Sequence, residues 1–348
     1  MAHLESSIKR CAGGMARLVA GAALLAIVYV PAAHADLLVG GGSGILRFHE
    51  RTGQFLGVAV DPGALGLDNP QGTAIGPDGR LYISSFGDPR PGVGEHRQIL
   101  RYDGREVEVF VPPASGGLGA PDDVAFGPDG NLYVADGFFG TNSILRFNGT
   151  SGRFMGVFAR SSEIRQPSRI AFGRNGDLYV GNANSSDVLR FHGTTGLPYP
   201  APGRGGAVFV SGTPGPYNTI ITVAPDGSLL VSSGAAPGIR RYDQRTGAFL
   251  GVVVAGITVI GDMTFGPDGN LYVTDYQGNA IRRYRGLTGQ FLGEFVQAGA
   301  GGLLRPNTIA FTCTPWHGKG HRHHCRTSSP RDTGPKDENP EGVFRIPF

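Results

Sequence analysis

An excess of either charge is nearly absent from this 348-residue chain, in which 31 Lys and Arg stand against 28 Asp and Glu for a formal balance of +3. Three of the cations (Lys9, Arg10, Arg17) and one anion (Glu5) fall in the first 35 residues, so the remainder carries +1. So neutral a chain creates no field that would gather nucleic acid or acidic lipid, which argues against a nucleic-acid partner. Cysteine is scarce as well, limited to Cys11, Cys313 and Cys325. Long hydrophobic runs are missing except for Leu18 to Val30, which follows the three cations and leads to the small-residue site Ala33-His34-Ala35. That pattern reads as a secretory signal peptide over residues 1–35, cut before Asp36, and the run is too short to span a bilayer comfortably. Cys11 precedes the run instead of closing it, which excludes a lipid anchor. The expected product is secreted or periplasmic, with no transmembrane anchor after cleavage, and the Ala- and Arg-rich leader reads as bacterial. Also missing, in any suitable context, are a Gly-x-Ser-x-Gly elbow, a phosphate-binding glycine loop and a His-Glu-x-x-His pair.

Glycine and proline, by contrast, are plentiful at 58 and 25 residues, and they sit between apolar strand-like segments instead of in tracts. They mark turns, not disorder. Six copies of one phrase recur about fifty residues apart: Ile45-Leu46-Arg47-Phe48, Ile99 to Tyr102, Ile144 to Phe147, Val188 to Phe191, Ile239 to Tyr242 and Ile281 to Tyr284. In the copy beginning at Pro121, the strand Asp122 to Phe126 meets the turn Pro128-Asp129-Gly130 and returns as Leu132 to Asp136. Proline presets φ in such a turn, aspartate bonds back to the backbone, and glycine takes the positive φ. Adding the Arg-aromatic strand and the segment Phe154 to Phe158 gives four antiparallel strands, which is one propeller blade.

The count of landmarks predicts how the ring closes. The phrase at Ile45 has no inner strand and turn before it, whereas Arg305 to Phe311 reads as an inner strand with no blade after it. The expectation is an all-β, six-bladed β-propeller over residues 36–312, with four-stranded antiparallel blades and a C-terminal inner strand that joins the N-terminal blade. Closure of this kind leaves no exposed strand edge at the seam.

Phrases such as Pro121-Asp122-Asp123-Val124-Ala125-Phe126-Gly127-Pro128-Asp129-Gly130-Asn131-Leu132-Tyr133 resemble the NHL-repeat six-bladed propellers and their SMP-30/gluconolactonase and streptogramin lyase relatives. The resemblance covers most of the chain to Thr312 and is specific for fold, since the scaffold carries binding proteins, hydrolases and lyases alike. For the SMP-30-like enzymes it implies a divalent metal, calcium or zinc, in the central channel, held at the starts of the inner strands. Counting back six residues from each turn gives Gln71, Asp122, Ser168, Thr219 and Gly261, with Asn307 in the split blade, and Asp123 and Asp262 one residue further on. Among these channel-lining candidates Asp122 and Asn307 are the metal candidates, although a hard cation usually takes more than one carboxylate and nothing matches the family's Glu. No His stands at an inner-strand position, so the lyase chemistry finds no support in His49, His96 or His192, which read as surface residues.

The repeated arginines are expected to pair locally, Arg146 with Asp136 and Arg283 with Asp275, and the aromatics beside them to pack between blades. Loops Asp88 to Glu95 and Leu197 to Gly206 are expected to shape one ligand surface at a channel mouth. Beyond the propeller, residues 313–325 hold two Cys and four His. Two readings stay open there: thiolate and imidazole ligation of zinc or copper, or, as export favours, a Cys313–Cys325 disulfide worth about 3 kcal/mol. Residues 326–348 are mostly polar and read as a flexible tail. The expected role is a monomeric binding or interaction module for a small molecule, a glycan or an envelope protein. The alternative is a metal-dependent lactonase or a lyase.

Overall fold

The computed structural model describes residues 35–87, 96–137, 140–185, 187–212, 219–233, 236–257 and 259–312. The segment expected to be a signal peptide, the Cys/His-rich segment with Cys313 and Cys325, the residues 326–348 and the loop 88–95 lie outside the described residues.

Strands β1 (Asp36–Gly41), β2 (Gly44–His49) and β3 (Phe55–Val60) open the first blade. The second blade is β4 (Pro70–Ile75), β5 (Leu81–Ser85), β6 (Gln98–Tyr102) and β7 (Val107–Val111). The third is β8 (Pro121–Phe126), β9 (Leu132–Asp136), β10 (Ser143–Phe147) and β11 (Phe154–Ala159). In the fourth, β12 (Pro167–Phe172), β13 (Leu178–Asn182) and β14 (Val188–Phe191) precede a short outer strand, β15 (Val208–Val210). The fifth blade is β16 (Ile220–Val223), β17 (Leu229–Ser233), β18 (Ala236–Tyr242) and β19 (Phe249–Ala255). The sixth is β20 (Ile260–Phe265), β21 (Leu271–Asp275), β22 (Ala280–Arg285) and β23 (Gln290–Val296).

One strand remains, β24 (Thr308–Phe311), and it pairs antiparallel with β1, Leu37 opposite Phe311 and Val39 opposite Ile309. The order β24-β1-β2-β3 completes a sixth four-stranded sheet, so the two ends of the domain share one blade, as the landmark count requires. Asn307 N–H donates to Gly40 O at 2.8 Å and extends the pairing toward the channel.

The core is divided among the seams. Six buried clusters form, each drawing residues from two neighbouring blades. At the seam after the third blade, Tyr133 meets Phe158 of its own blade and Phe172 of the next edge-on, with centroids 4.7 and 4.8 Å apart. Tyr82 and Tyr272 make the same pair of contacts, to Phe110 and Phe126 and to Phe295 and Phe311. Such edge-to-face pairs add about 0.5–1.5 kcal/mol each to the burial itself. The repeated aromatics Phe48, Tyr102, Phe147, Phe191, Tyr242 and Tyr284 are all buried in these seams.

The repeated arginines do pair locally, but with other partners than the sequence suggests. Arg146 lies opposite Tyr133 in the ladder and packs its guanidinium 5.7 Å over the Phe158 ring. Asp136 is occupied by backbone N–H groups, from Gly119, Ala120 and Thr141. Asp275 takes Arg282, at 2.5 Å, whereas Arg283 reaches toward Asp268 in its own turn. The reason is strand alternation: the arginine before each aromatic shares its face with the turn, not with the end of the second strand.

Candidate functional site

Four of the inner strands carry a one-residue bulge near their start. In the third blade Pro121 pairs Asp136 but Asp123 pairs Ala135, which leaves Asp122 as the extra residue, and Gln71, Ser168 and Gly261 occupy equivalent positions. A bulge re-aims the side chain that follows it. The residues that come together at the centre are therefore those one place further on: Asp123, Arg169, Asp262 and Thr308.

Arg169, from the fourth blade, is the hub. Its side chain is 7% exposed. One terminal nitrogen donates to Ser168 O at 2.7 Å, and the other donates to Gly261 O at 2.6 Å and Asn307 O at 2.9 Å, in the sixth and first blades. In a ring of six the fourth and first blades face each other, so this guanidinium spans the axis. Its Nε lies 3.9 Å from the Asp262 carboxylate. Asp262 in turn accepts from Ile309 N–H at 3.1 Å and from Thr308 Oγ1, while Thr73 and Thr308 share a hydrogen bond of 2.6 Å. Asp123 accepts from Ile170 N–H at 2.9 Å on the next inner strand, and a Cβ on Gly72 would lie 2.2 Å from its Oδ1. Glycine in the second blade thus leaves the space that Asp123 fills.

Burial outweighs the attraction of Arg169 and pushes the Asp123 carboxyl up to about 7, and it raises Asp262 as well. One guanidinium faces two buried carboxylates, so the two titrate as a coupled set.

The other candidates stand nearby in separate roles. Ser168 is buried and its hydroxyl donates to Gly181 O and Thr219 O. Thr219 is fully buried with its hydroxyl unpartnered among the described residues. Gln71 is half-buried. The Asp122 side chain turns toward Gly137, where an added Cβ would meet its Oδ2 at 2.0 Å. Asn307 lines a small hollow of about 220 Å³ with Asp68, Tyr276 and Arg305. Asp122 and Asn307 belong to the third and first blades, and no group of three His, Cys, Asp or Glu side chains gathers among the described residues. The two central carboxylates do come together, but a guanidinium already lies between the strands that carry them. That donor set does not fit a divalent cation, which asks for several converging oxygens.

A larger cavity, about 790 Å³, opens on the face where the inner-strand turns lie, at the seam between the fourth and fifth blades. In the third and fourth blades the turn after the Arg-aromatic strand has glycine second, and this residue presses on the inner turn: a Cβ on Gly149 would lie 1.9 Å from Gly130 O, and one on Gly193 1.6 Å from Gly176 O. The fifth blade has Gln244 there instead. Its amide crosses the seam, with Nε2 2.3 Å from where a Cβ of Gly173 would be, and that nitrogen is buried without a partner among the described residues. The opposite wall is the β14–β15 connection, which Arg190 fixes by donating to Tyr199 O at 2.7 Å and Pro200 O at 2.8 Å, its guanidinium 4.2 Å from the Tyr199 ring and 4.5 Å from Phe209. Leu197 to Gly206 therefore helps to shape this groove through Tyr199, while the loop 88–95 expected to share a surface with it lies outside the described residues.

No family model matches the chain, and no curated protein matches its sequence. Its architecture is that of solved six-bladed propellers. A chain of a nidogen/laminin complex is 16% identical with a TM-score of 0.61, covering 80% of this chain and 98% of that one. A protein of unknown function from Bacteroides caccae is 16% identical at a TM-score of 0.56, covering 80% and 99%. Virginiamycin B lyase from Staphylococcus aureus is 17% identical at 0.52, covering 72% and 79%. At these identities the likeness defines the fold alone.

Proposed function

We propose that this chain is an exported, NHL-repeat-type binding module that takes its ligand on a face of the propeller and not in the channel. The observation that carries the reading is the Arg169 tie, which fills the axis with a buried guanidinium bonded to carbonyls of three blades. The apolar run after Lys9, Arg10 and Arg17 supports export to the periplasm or beyond. The nidogen/laminin complex lends support from another side, because a chain with this architecture there takes part in a protein assembly. The ligand classes consistent with a near-neutral exported chain are a small molecule, a glycan or an envelope protein. The competing reading is an SMP-30-like lactonase, or a lyase, built on Asp122 and Asn307.

Metal analysis of the purified protein, with lactone and ester hydrolysis measured with and without EDTA, separates the two. The binding reading expects no stoichiometric calcium or zinc, no chelator-sensitive hydrolysis and an unchanged melting temperature in EDTA. Stoichiometric divalent metal that disappears in Asp122→Ala together with a hydrolytic activity would overturn it.

A further inference from the structure

We propose that the groove between the fourth and fifth blades binds an acidic saccharide, its carboxylates held by Arg174 and Arg245 and one ring face lying on Tyr199. This rests on the binding-module reading and names its ligand class. The groove's size, about 790 Å³, falls inside the range of small-molecule sites.

The charge pattern selects the ligand. Three aspartates line the groove, and each has at least one oxygen engaged by its surroundings, both in the case of Asp226. Asp226 pairs with Arg241 and accepts from Ser228 N–H and Oγ. Asp243 accepts from Thr246 N–H and Oγ1 and from Arg245 N–H, bonds that hold its carboxyl below the usual carboxylate range. Asp177 accepts from Asn175 Nδ2 at 2.6 Å. The two exposed arginines differ. Arg174 leans across the seam, its Cδ 3.4 Å from the Cβ position of Gly227, and neither its guanidinium nor that of Arg245 makes an ion pair among the described residues. A guanidinium keeps its charge at every physiological pH and offers a planar fork that matches carboxylate.

The same aspartates argue against a compact polyanion. A phosphate cluster would meet three negative walls, whereas hydroxyl groups would find acceptors there and single, spaced carboxylates would reach the two arginines. Gln244 Nε2 is a buried donor with no partner among the described residues. Tyr199 is 47% exposed and backed by the Arg190 guanidinium, which leaves a held aromatic surface for the apolar face of a sugar ring. Acidic sugars combine these features: isolated carboxylates, many hydroxyls and one apolar ring face.

Isothermal titration of the purified protein with trigalacturonate, neutral galactotriose and inorganic phosphate tests this. The expected result is binding of the acidic trimer at least about tenfold tighter than of the neutral one, weakened by salt, with phosphate bound more weakly than either. In Arg174→Ala/Arg245→Ala the acidic trimer loses about tenfold or more with an unchanged melting temperature, and Tyr199→Ala weakens both sugars. Equal affinity for the neutral trimer, phosphate preferred over uronate, binding that survives the double arginine variant, or no uronate binding at millimolar concentration would each overturn the proposal. Such a failure in a protein free of metal-dependent hydrolysis removes only this site, while hydrolysis lost in Asp122→Ala removes the binding-module reading itself.

Discussion

The centre of the propeller and the groove beside its fifth blade are both clusters of arginine and aspartate, yet they have opposite states of completion. At the centre the charged groups are tied into the fold: Arg169 holds three carbonyls, Asp123 and Asp262 each hold a backbone N–H of the following blade, and the guanidinium offsets part of the carboxylate charge. In the groove the aspartates are held mainly within their own turns, while Arg174 and Arg245 are exposed and make no ion pair among the described residues. The lesson is that polar residues on a propeller axis can be struts. A site is better sought where donors are left over.

The largest effect that sharpens this contrast comes from cutting the strut. Arg169→Met leaves two buried carboxylates uncompensated and should cost about 3–5 kcal/mol in denaturant unfolding, with a coupling term when combined with Asp262→Asn. A loss below about 1 kcal/mol, typical of an exposed arginine, would break the comparison.

Next comes pH. A carboxyl raised to about 7 when folded binds its proton more tightly in the native state than in the unfolded chain. Its contribution to stability is whole below the unfolded value of about 4 and declines as pH climbs from there to about 7, by up to about 4 kcal/mol. Unfolding titrations across that window should show the decline, and Asp123→Asn should flatten it. A variant with the wild-type slope would assign the proton elsewhere.

Smaller still is the effect of the turn that makes the groove. Gly193→Ala forces a Cβ onto the Gly176 carbonyl and should cost about 1–3 kcal/mol, whereas Gln244→Gly in the equivalent turn should stay within about 1 kcal/mol, since the amide it removes has no hydrogen-bond partner at Nε2. Equal costs in thermal melts would mean that the two turns are built alike. The smallest effect is expected from Arg174→Ala/Arg245→Ala, whose stability should remain within about 0.5 kcal/mol of the parent.

The fold was legible because it repeats. Six Arg-aromatic phrases and the orphan inner strand at Thr308 to Phe311 are enough to place β24 beside β1. The centre was half legible. Asp123 and Asp262 stand one residue past the counted level, and the bulges at Asp122 and Gly261 explain that offset, because an extra residue passes the inward position to its neighbour. Arg169 escaped notice because it does not repeat; aligning the starts of the inner strands would have shown an arginine in the fourth blade where the third and sixth carry aspartate. The groove has only a faint signal, since the glycine that follows the Arg-aromatic strand by two places in four blades is replaced in the fifth by Gln244 and in the first by Glu50. The arginine partners were misread because strand alternation, not proximity in sequence, decides which acid shares a face with Arg146 or Arg283.

The most direct test of the division between strut and site is a side-by-side titration of trigalacturonate into Asp123→Asn and Arg174→Ala/Arg245→Ala, both shown to be folded. Parent-like affinity in the channel variant, with a loss of about tenfold or more in the groove variant, is the predicted result. The reverse pattern, binding lost at the channel and kept at the groove, would contradict it.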